Sequence, residues 1–177
     1  FQLIVGSNID AVKAAGAEAA RIGYPPLILS SMLEGDTRQA ALLHGGIIKE
    51  VLKSGHPVPP PTCILSGGET TVVVRGKGLG GRNQEFALAL APQIAACTGV
   101  VALSAGTDGT DGPTDAAGAI VDDTTIKRAE ALGLDYRRYL EANDAYRFFK
   151  QTGELLFTGP TNTNVMDMRV ILVSDNQ

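Results

Sequence analysis

Ionisable side chains set among glycines recur at three places in the sequence, SGGETT (66–71), GKGLGGRN (76–83) and GTDGTDGPTD (106–115), and each could form a binding or catalytic loop. The stretch Ser66 to Asn83 places Glu69 beside Gly67 and Gly68, then Lys77, Arg82 and Asn83 among Gly78, Gly80 and Gly81. Glycines let backbone N–H groups approach a phosphate or carboxylate, a helix N-terminus adds partial positive charge, and Lys and Arg supply formal charge. That is the chemistry of anion handling; the alternative is a β-hairpin with a glycine-rich turn. Further on, Thr107 and Asp108 stand at a strand end and Asp111 and Asp115 follow. Carboxylates on such a loop can hold Mg²⁺ or accept a proton from a substrate hydroxyl, or they make Asx-turns that only fold the loop. Asp108, directly at the strand end, is the one expected to function. Glu69 reads equally as a functional group or as a turn carboxylate paired with Arg75. In TGPTNTN, Thr161 to Asn164 form an uncharged polar cluster or a turn.

Gly76 to Gly81 also satisfies GxGxxG, the outline of a dinucleotide loop. Three features oppose that reading. The preceding strand is expected to be a hairpin partner, Arg75 and Arg82 flank a lysine inside the loop, and Asp108 lies beyond the roughly 20-residue spacing of the fingerprint. No GK[ST] follows at Walker A spacing, and the aspartates do not match an EF-hand.

At 177 residues, 44% hydrophobic and 19% charged, the chain can bury a core of its own. A net charge of −4 without a basic cluster argues against nucleic acid or an anionic membrane surface as a partner and favours a small molecule. No apolar run approaches the roughly 20 residues of a membrane span, and no signal peptide is visible, so the cytoplasm is the default location. Cys63 and Cys97 lack metal spacing and are expected to be buried free thiols. His44 and His56 are too few for a histidine metal centre. The start at Phe1, already inside a strand pattern, suggests a piece of a longer chain.

The elements that must position these residues follow from the hydrophobic pattern. Residues 1–5 read as a buried strand, 7–22 as a helix stopped by Gly23, 26–30 as a second strand, and 36–53 as a helix capped by Asp36 or Thr37. Gly45 and Gly46 within it imply a kink or close backbone packing. This βαβα order calls for a parallel sheet. Pro57 to Pro61 is read as a proline-rich linker, dividing the end of one α/β domain (1–56) from a carboxyl-terminal mixed-sheet α/β domain (62–177). Within the latter, 62–65 and 70–75 are expected to pair as an antiparallel hairpin through SGGE. A helix from Asn83 to about Ala96, kinked at Pro92, follows. Strands at 100–105, 117–121, 155–158 and 165–173 enclose a helix from Asp123 or Thr124. Two short aromatic-bearing helices, started by Asp135 and Asn143, complete the set and are expected to be satellite core.

Taken together and in order, SGGETTV, GKGLGGRNQEFALA, SAGTDGTDGPTDAAGAIVD, ANDAYRFF and TGPTNTNVMD resemble the carboxyl-terminal part of the type 2 glycerate kinases, the region called the MOFRL domain. Some members of that family carry the name hydroxypyruvate reductase. The resemblance is strong over 62–174; GSNIDA and LEGDTRQAA within 1–56 are similar to the end of the family's preceding domain. It implies ATP- and Mg²⁺-dependent phosphorylation of D-glycerate at its 2-hydroxyl in a cleft between two domains. The matching positions are Glu69, Lys77, Arg82, Asn83 and Asp108, with Thr107 and Asn164 behind them. Arg82 and Lys77 would clamp carboxylate or phosphate, Asp108 would serve the metal or the hydroxyl proton, and Glu69 is the other candidate metal ligand. Most of the family's amino-terminal domain, with its expected lysine, is absent, so this chain alone is expected to be inactive. A nicotinamide-dependent reductase and a noncatalytic metabolite-binding module are the alternatives. Oligomeric state, a homodimer included, is left open.

Overall fold

The computed structural model describes residues 6–175; the strand expected at 1–5 lies outside them. Ser7 precedes helix α1 (Asn8–Arg21), and the Asp10 carboxylate accepts from the Ser7 backbone N–H at 3.1 Å, closing the first turn. Asn8 is turned inward. Its Nδ2 donates to the carbonyls of Val165 and Asp167 at 2.7 and 2.8 Å. Strand β1 (Pro26–Leu33) leads to helix α2 (Thr37–Ser54), which Asp36 caps by accepting from the N–H groups of Arg38 and Gln39 at 2.9 and 3.0 Å. Gly55, at φ 72°, ends it in the left-handed region that favours glycine.

The proline-rich segment then carries the chain into strand β2 (Thr62–Gly68), which lies parallel to β1 with Leu27 opposite Ile64. Residues 57–61, expected as a linker, form the last part of the connection that runs from β1 through α2 to β2. The remaining elements are α3 (Arg82–Ile94), β3 (Val100–Gly106), β4 (Gly118–Asp122), α4 (Thr125–Ala131), α5 (Tyr136–Glu141), α6 (Ala145–Thr152), β5 (Leu155–Leu156) and β6 (Asp167–Val173). The sheet order is β1-β2-β6-β3-β4-β5, and every pairing except β1 with β2 is antiparallel. The α/β class and the mixed sheet are as the sequence predicts.

The hairpin is not. Ser66, Gly67 and Gly68, expected as its turn, complete β2 and pair with Arg169, Met168 and Asp167 of β6. With β1 on one edge and β6 on the other, β2 has no free edge for residues 70–75. That segment runs on as an irregular strap: the N–H groups of Glu69 and Thr71 donate to the carbonyls of Leu33 and Gly35, both at 2.8 Å, leaving Val73 and Val74 exposed.

Helices α2 and α3 cover one face of the sheet, and α1 packs on the other through Val12 and Ala19 against Cys63 and Leu65. Helix α3 is the core element, buried continuously from Asn83 to Ala91 and again at Ile94. The helix ends at Ile94, two residues before the expected Ala96, which puts Pro92 in its final turn and not near its middle. Gly45 accounts for the close packing anticipated in α2: a Cβ there would lie 2.7 Å from Cβ of Gln93 on α3. Tyr139, Phe148 and Phe149 stack edge to face at 5.4 and 5.2 Å and join the main core under α3. Helix α6 starts after Asp144 instead of Asn143, which sits at φ 54° in the preceding turn. Both cysteines are buried free thiols. No described helix is long and apolar enough to cross a membrane.

Candidate functional site

Strand β2 ends, β3 ends and β6 begins at the same end of the sheet, since Gly68 and Gly106 both pair with Asp167. Helix α3 also starts there, so Arg82, its first residue, meets Asp167, the first residue of β6. The Arg82 guanidinium donates twice to the Asp167 carboxylate, from Nε at 2.7 Å and from Nη2 at 3.0 Å. Its Nη1 faces Glu69 at 2.8 Å. Asp167 is fully buried, Arg82 is 34% exposed and Glu69 is 53% exposed. The pairing with Asp167, reinforced by Glu69 and Asp111, holds Arg82 still more firmly protonated than usual. The outer side of the guanidinium borders an open cavity of about 820 Å³ lined by Glu34, Gly35, Glu69 to Val72, Arg82, Asp111 and Gly112.

The helix N-terminus is already occupied by an internal anion. Gly81, the N-cap, offers no side chain; the Asp111 carboxylate from the aspartate loop accepts from the N–H groups of Asn83 and Gln84 at 3.0 and 2.8 Å. A Cβ at Gly81 would overlap that carboxylate, which explains the glycine. Burial pushes the Asp111 carboxyl up to about 6, with the two backbone N–H groups and the Asn83 side chain opposing the rise and the neighbouring Asp167 adding to it. Asn83 is consumed in the same network: Nδ2 donates to Asp111 and Asp167 at 3.2 and 2.9 Å, and Oδ1 accepts from the Ser104 hydroxyl at 2.7 Å. It is buried and builds the site from behind.

The glycine loop is fastened in a comparable way. The N–H groups of Arg75 and Gly76 donate to Asn143 Oδ1 at 2.7 and 2.9 Å, that of Gly78 to the Ala142 carbonyl at 2.8 Å, and that of Leu79 to Asp144 Oδ1 at 2.8 Å. These donors hold the turn between α5 and α6 and are not available to cradle a pyrophosphate. With a loop in place of the strand and Asp111 on the helix end, GKGLGG does not have the makings of a dinucleotide site. Gly76 and Gly78 are required because a Cβ on either would strike Ala142 to Asp144, and Gly80, at φ 156°, passes close to Ala145 and Tyr146. Lys77 is exposed on this loop and is not among the residues lining the Arg82 cavity. Gly67 and Gly68 are explained by packing as well: side chains there would meet Asn8 and the Leu33 backbone.

Asp108 belongs to a second cluster at the same sheet end. Its Oδ1 accepts from the Thr110 N–H at 3.0 Å, an Asx-turn, and its Oδ2 from Asn164 Nδ2 at 3.2 Å. Thr107 Oγ1 donates to the Met166 carbonyl at 2.7 Å and accepts from the Val165 N–H at 2.9 Å. The structure thus brings Glu69, Arg82 and Asn83 together, and Thr107, Asp108 and Asn164 together, as two groups. Glu69 is paired with Arg82 instead of Arg75. Among the described residues no group of three or more His, Cys, Asp or Glu is arranged to hold a metal ion.

Asp167 and Arg169 are the residues the sequence reading passes over. Arg169 is fully buried under α3, its guanidinium 4.9 Å from the Phe86 ring centroid, with Nη2 donating to Thr70 Oγ1 at 2.9 Å and lying 3.6 Å from Asp167. The signal was available: Asp167 and Arg169 share a strand face with Ile171 and Val173, and charge at buried-face positions requires partners.

Fold and site together describe an α/β domain whose sheet end presents an oriented arginine to a polar cavity. The model of the MOFRL family matches residues 62–167, and the chain belongs to that family. A glycerate 2-kinase of Pyrococcus horikoshii is 41% identical over 175 residues, 98% of this chain and 40% of that protein. A protein of Agrobacterium vitis named as a hydroxypyruvate reductase is 45% identical, with 98% and 40% covered. The crystal structure of a glycerate kinase (EC 2.7.1.31) from Thermotoga maritima superposes with a TM-score of 0.94 at 43% identity, covering 97% of this chain and 41% of that one. The chain therefore spans about 40% of the length of the relatives it matches.

Proposed function

We propose that this chain is the carboxyl-terminal part of a glycerate 2-kinase and contributes the Arg82 side of an active site that transfers the γ-phosphoryl group of ATP to the 2-hydroxyl of D-glycerate. The observation that carries the reading is the geometry of Arg82. Its Nε and Nη2 are held by a buried carboxylate while Nη1 meets only the half-exposed Glu69 at the cavity. An arriving carboxylate or phosphoryl oxygen takes the place of Glu69 on Nη1, and a preoriented guanidinium then stabilises charge on the transferred group. In the reaction the 2-hydroxyl oxygen bonds to the γ-phosphorus, the bond to the ADP oxygen breaks, and the hydroxyl proton passes to a base. Asp108 is the carboxylate of this chain we assign to that proton, from a loop at the same sheet end. Arg82 and Asp108 are thus retained as catalytic residues, and Lys77, exposed on the glycine loop away from the Arg82 cavity, is kept as a phosphate or carboxylate clamp whose partners would come from the rest of the full-length protein. Asn83, Thr107 and Asn164 act as scaffold.

Mg²⁺ is the metal such a phosphotransfer calls for, yet Glu69 and Asp108 do not fit it as a joint site. Glu69 is bound to Arg82, and Asp108 is turned into its own loop with Asn164. The remaining catalytic groups are expected from the rest of the full-length protein, since this chain spans about 40% of its relatives' length. A coupled assay on the full-length protein tests the function. ATP-dependent consumption of D-glycerate is expected, and NADH oxidation by hydroxypyruvate without ATP would overturn it in favour of the reductase. The chain by itself is expected to turn over neither.

A further inference from the structure

The structure assigns Arg169 as the positioning residue of Arg82: a second, fully buried guanidinium that fixes both the side chain and the backbone of the anion-binding arginine. Two routes connect them. On the side-chain route, Arg169 Nη2 lies 3.6 Å from Asp167 Oδ2, the oxygen that accepts from Arg82 Nε at 2.7 Å. On the backbone route, Arg169 Nη2 donates to Thr70 Oγ1 at 2.9 Å, Thr70 Oγ1 donates to Thr37 Oγ1 at 3.1 Å, and Thr37 Oγ1 donates to the carbonyl of Arg82 at 3.0 Å. Thr70 also adjoins Glu69, which holds the third side of the Arg82 guanidinium. One buried cation therefore stands behind both the Asp167 carboxylate that holds the Arg82 side chain and the Thr70–Thr37 link to its carbonyl.

Electrostatics requires such a cation. Asp167 and Asp111 are both buried, and Asn83 Nδ2 bridges them at 2.9 and 3.2 Å. Asp111 also has the helix N-terminal N–H groups of Asn83 and Gln84, but the only cations beside Asp167 among the described residues are Arg82, a third exposed, and Arg169. With Arg169 behind it, Asp167 lies between two guanidinium groups, at 2.7 Å from Arg82 and 3.6 Å from Arg169. Packing alone does not explain Arg169. Its Nε and Nη1 have no hydrogen-bond partner among the described residues and its cross-strand neighbours are Ser66 and Ser104. An apolar side chain would fill the space over Phe86 without leaving buried donors unpaired.

The role in Arg82 geometry is independent of the reaction; its kinetic consequence rests on the kinase reading, and two measurements on the full-length protein keep them apart. In the first, arginine side chains are ¹⁵N-labelled, the Arg82 Nε–H signal is assigned by its loss in Arg82→Lys, and its exchange with water is compared in wild type and Arg169→Met. Exchange faster by about tenfold or more is expected in Arg169→Met, with the backbone amides of α3 still protected. Unchanged exchange would overturn the inference whatever the protein catalyses. Loss of the α3 protection as well would show that Arg169 is a general core residue and would equally overturn it.

The second measurement is a cycle of kcat/KM for D-glycerate. Arg169→Met is expected to raise KM, Arg169→Lys to recover part of the loss, and the double variant with Arg82→Ala to be no worse than Arg82→Ala alone. Multiplying effects would mean that Arg169 does not act through Arg82. Absence of any glycerate turnover in the wild type would refute the kinase reading and leave the exchange experiment to decide the role of Arg169.

Discussion

Replacing Asp167 by Asn keeps the shape of the side chain and removes the charge on which the site is built. Asp167 accepts from Arg82 at 2.7 and 3.0 Å and from Asn83 at 2.9 Å, and it is the nearest anion to the buried Arg169 at 3.6 Å. An Asn at this position can accept through one atom only and turns an NH₂ group toward a guanidinium. At least one charge-assisted hydrogen bond is lost, and the fully buried Arg169 loses its nearest counter-ion, keeping only the more distant Asp111. Breaking a buried pair by removing one partner costs about 3–5 kcal/mol. Glu69 still faces Arg82, but a half-exposed pair contributes only about 0–1 kcal/mol and does little to offset the loss. For a domain of this size about 3–5 kcal/mol lowers Tm by roughly 6–20 °C. The assay is urea unfolding of the 177-residue chain followed by circular dichroism, with Asp108→Asn as the internal control. Asp108 is partly exposed and its partners are Thr110 in its own loop and Asn164 in a neighbouring one, so its variant is expected to stay within about 1 kcal/mol of wild type. If Asp167→Asn and Asp108→Asn unfold at the same denaturant concentration, with unchanged slopes, the argument that Asp167 is the keystone of the site fails.

Three further outcomes follow from the same geometry. Glu69→Gln leaves Arg82 Nη1 without a charged rival at the cavity, so inorganic phosphate should bind the chain about three- to tenfold more tightly by calorimetric titration, with stability changed by less than about 1 kcal/mol; weaker or unchanged binding counts against Glu69 as the displaceable partner. Gly81→Ala drives a methyl group into the Asp111 cap and should destabilise by about 1–3 kcal/mol, whereas Gly46→Ala, in an exposed position of α2 with open space around its Cβ, should stabilise by about 0.5–1 kcal/mol; the reverse order in thermal melts would show that the glycine assignments are mistaken. His44, buried with Nδ1 toward the Ala40 carbonyl at 2.7 Å and Nε2 toward Ser66 Oγ at 2.9 Å, has its pKa lowered to about 4 by burial and Arg169, opposed by the bond to Ala40. Its folded value lies below the unfolded one of about 6.5, so its stabilising contribution is complete above about pH 6.5 and is lost as pH falls toward 4. Ring NMR signals should show a neutral imidazole at pH 5.5, and a midpoint near 6.5 would contradict the burial argument.

The elements whose signals are local were legible in the sequence. Asp36 and Gly55 bracket α2 through a cap and a left-handed stop, and apolar periodicity marks α1 and α3. Arg82 and Glu69, read as neighbours of an anion, do meet at a cavity. What could not be read is set by pairing between distant parts of the chain. The β-branched run at 70–75 has strand propensity, but β6 arrives from the other end of the sequence to take the edge of β2 that a hairpin needed. GKGLGG looks like a phosphate loop until Ala142, Asn143 and Asp144, far along the chain, are seen to accept from the N–H groups of Arg75, Gly76, Gly78 and Leu79. The helix N-terminus looks open until Asp111 is placed on it. Asp167 and Arg169 were hidden inside a strand read for its apolar residues, where two charges two positions apart share the buried face.

Whether Arg82 receives the anion is decided by a crystal structure of the full-length protein with D-glycerate and a non-hydrolysable ATP analogue. A ligand carboxylate or phosphoryl oxygen is expected within about 3 Å of Arg82 Nη1, with Glu69 displaced toward the cavity and the Arg82–Asp167 pair unchanged. Both ligands bound elsewhere, with the Arg82–Glu69 pair intact, would contradict it.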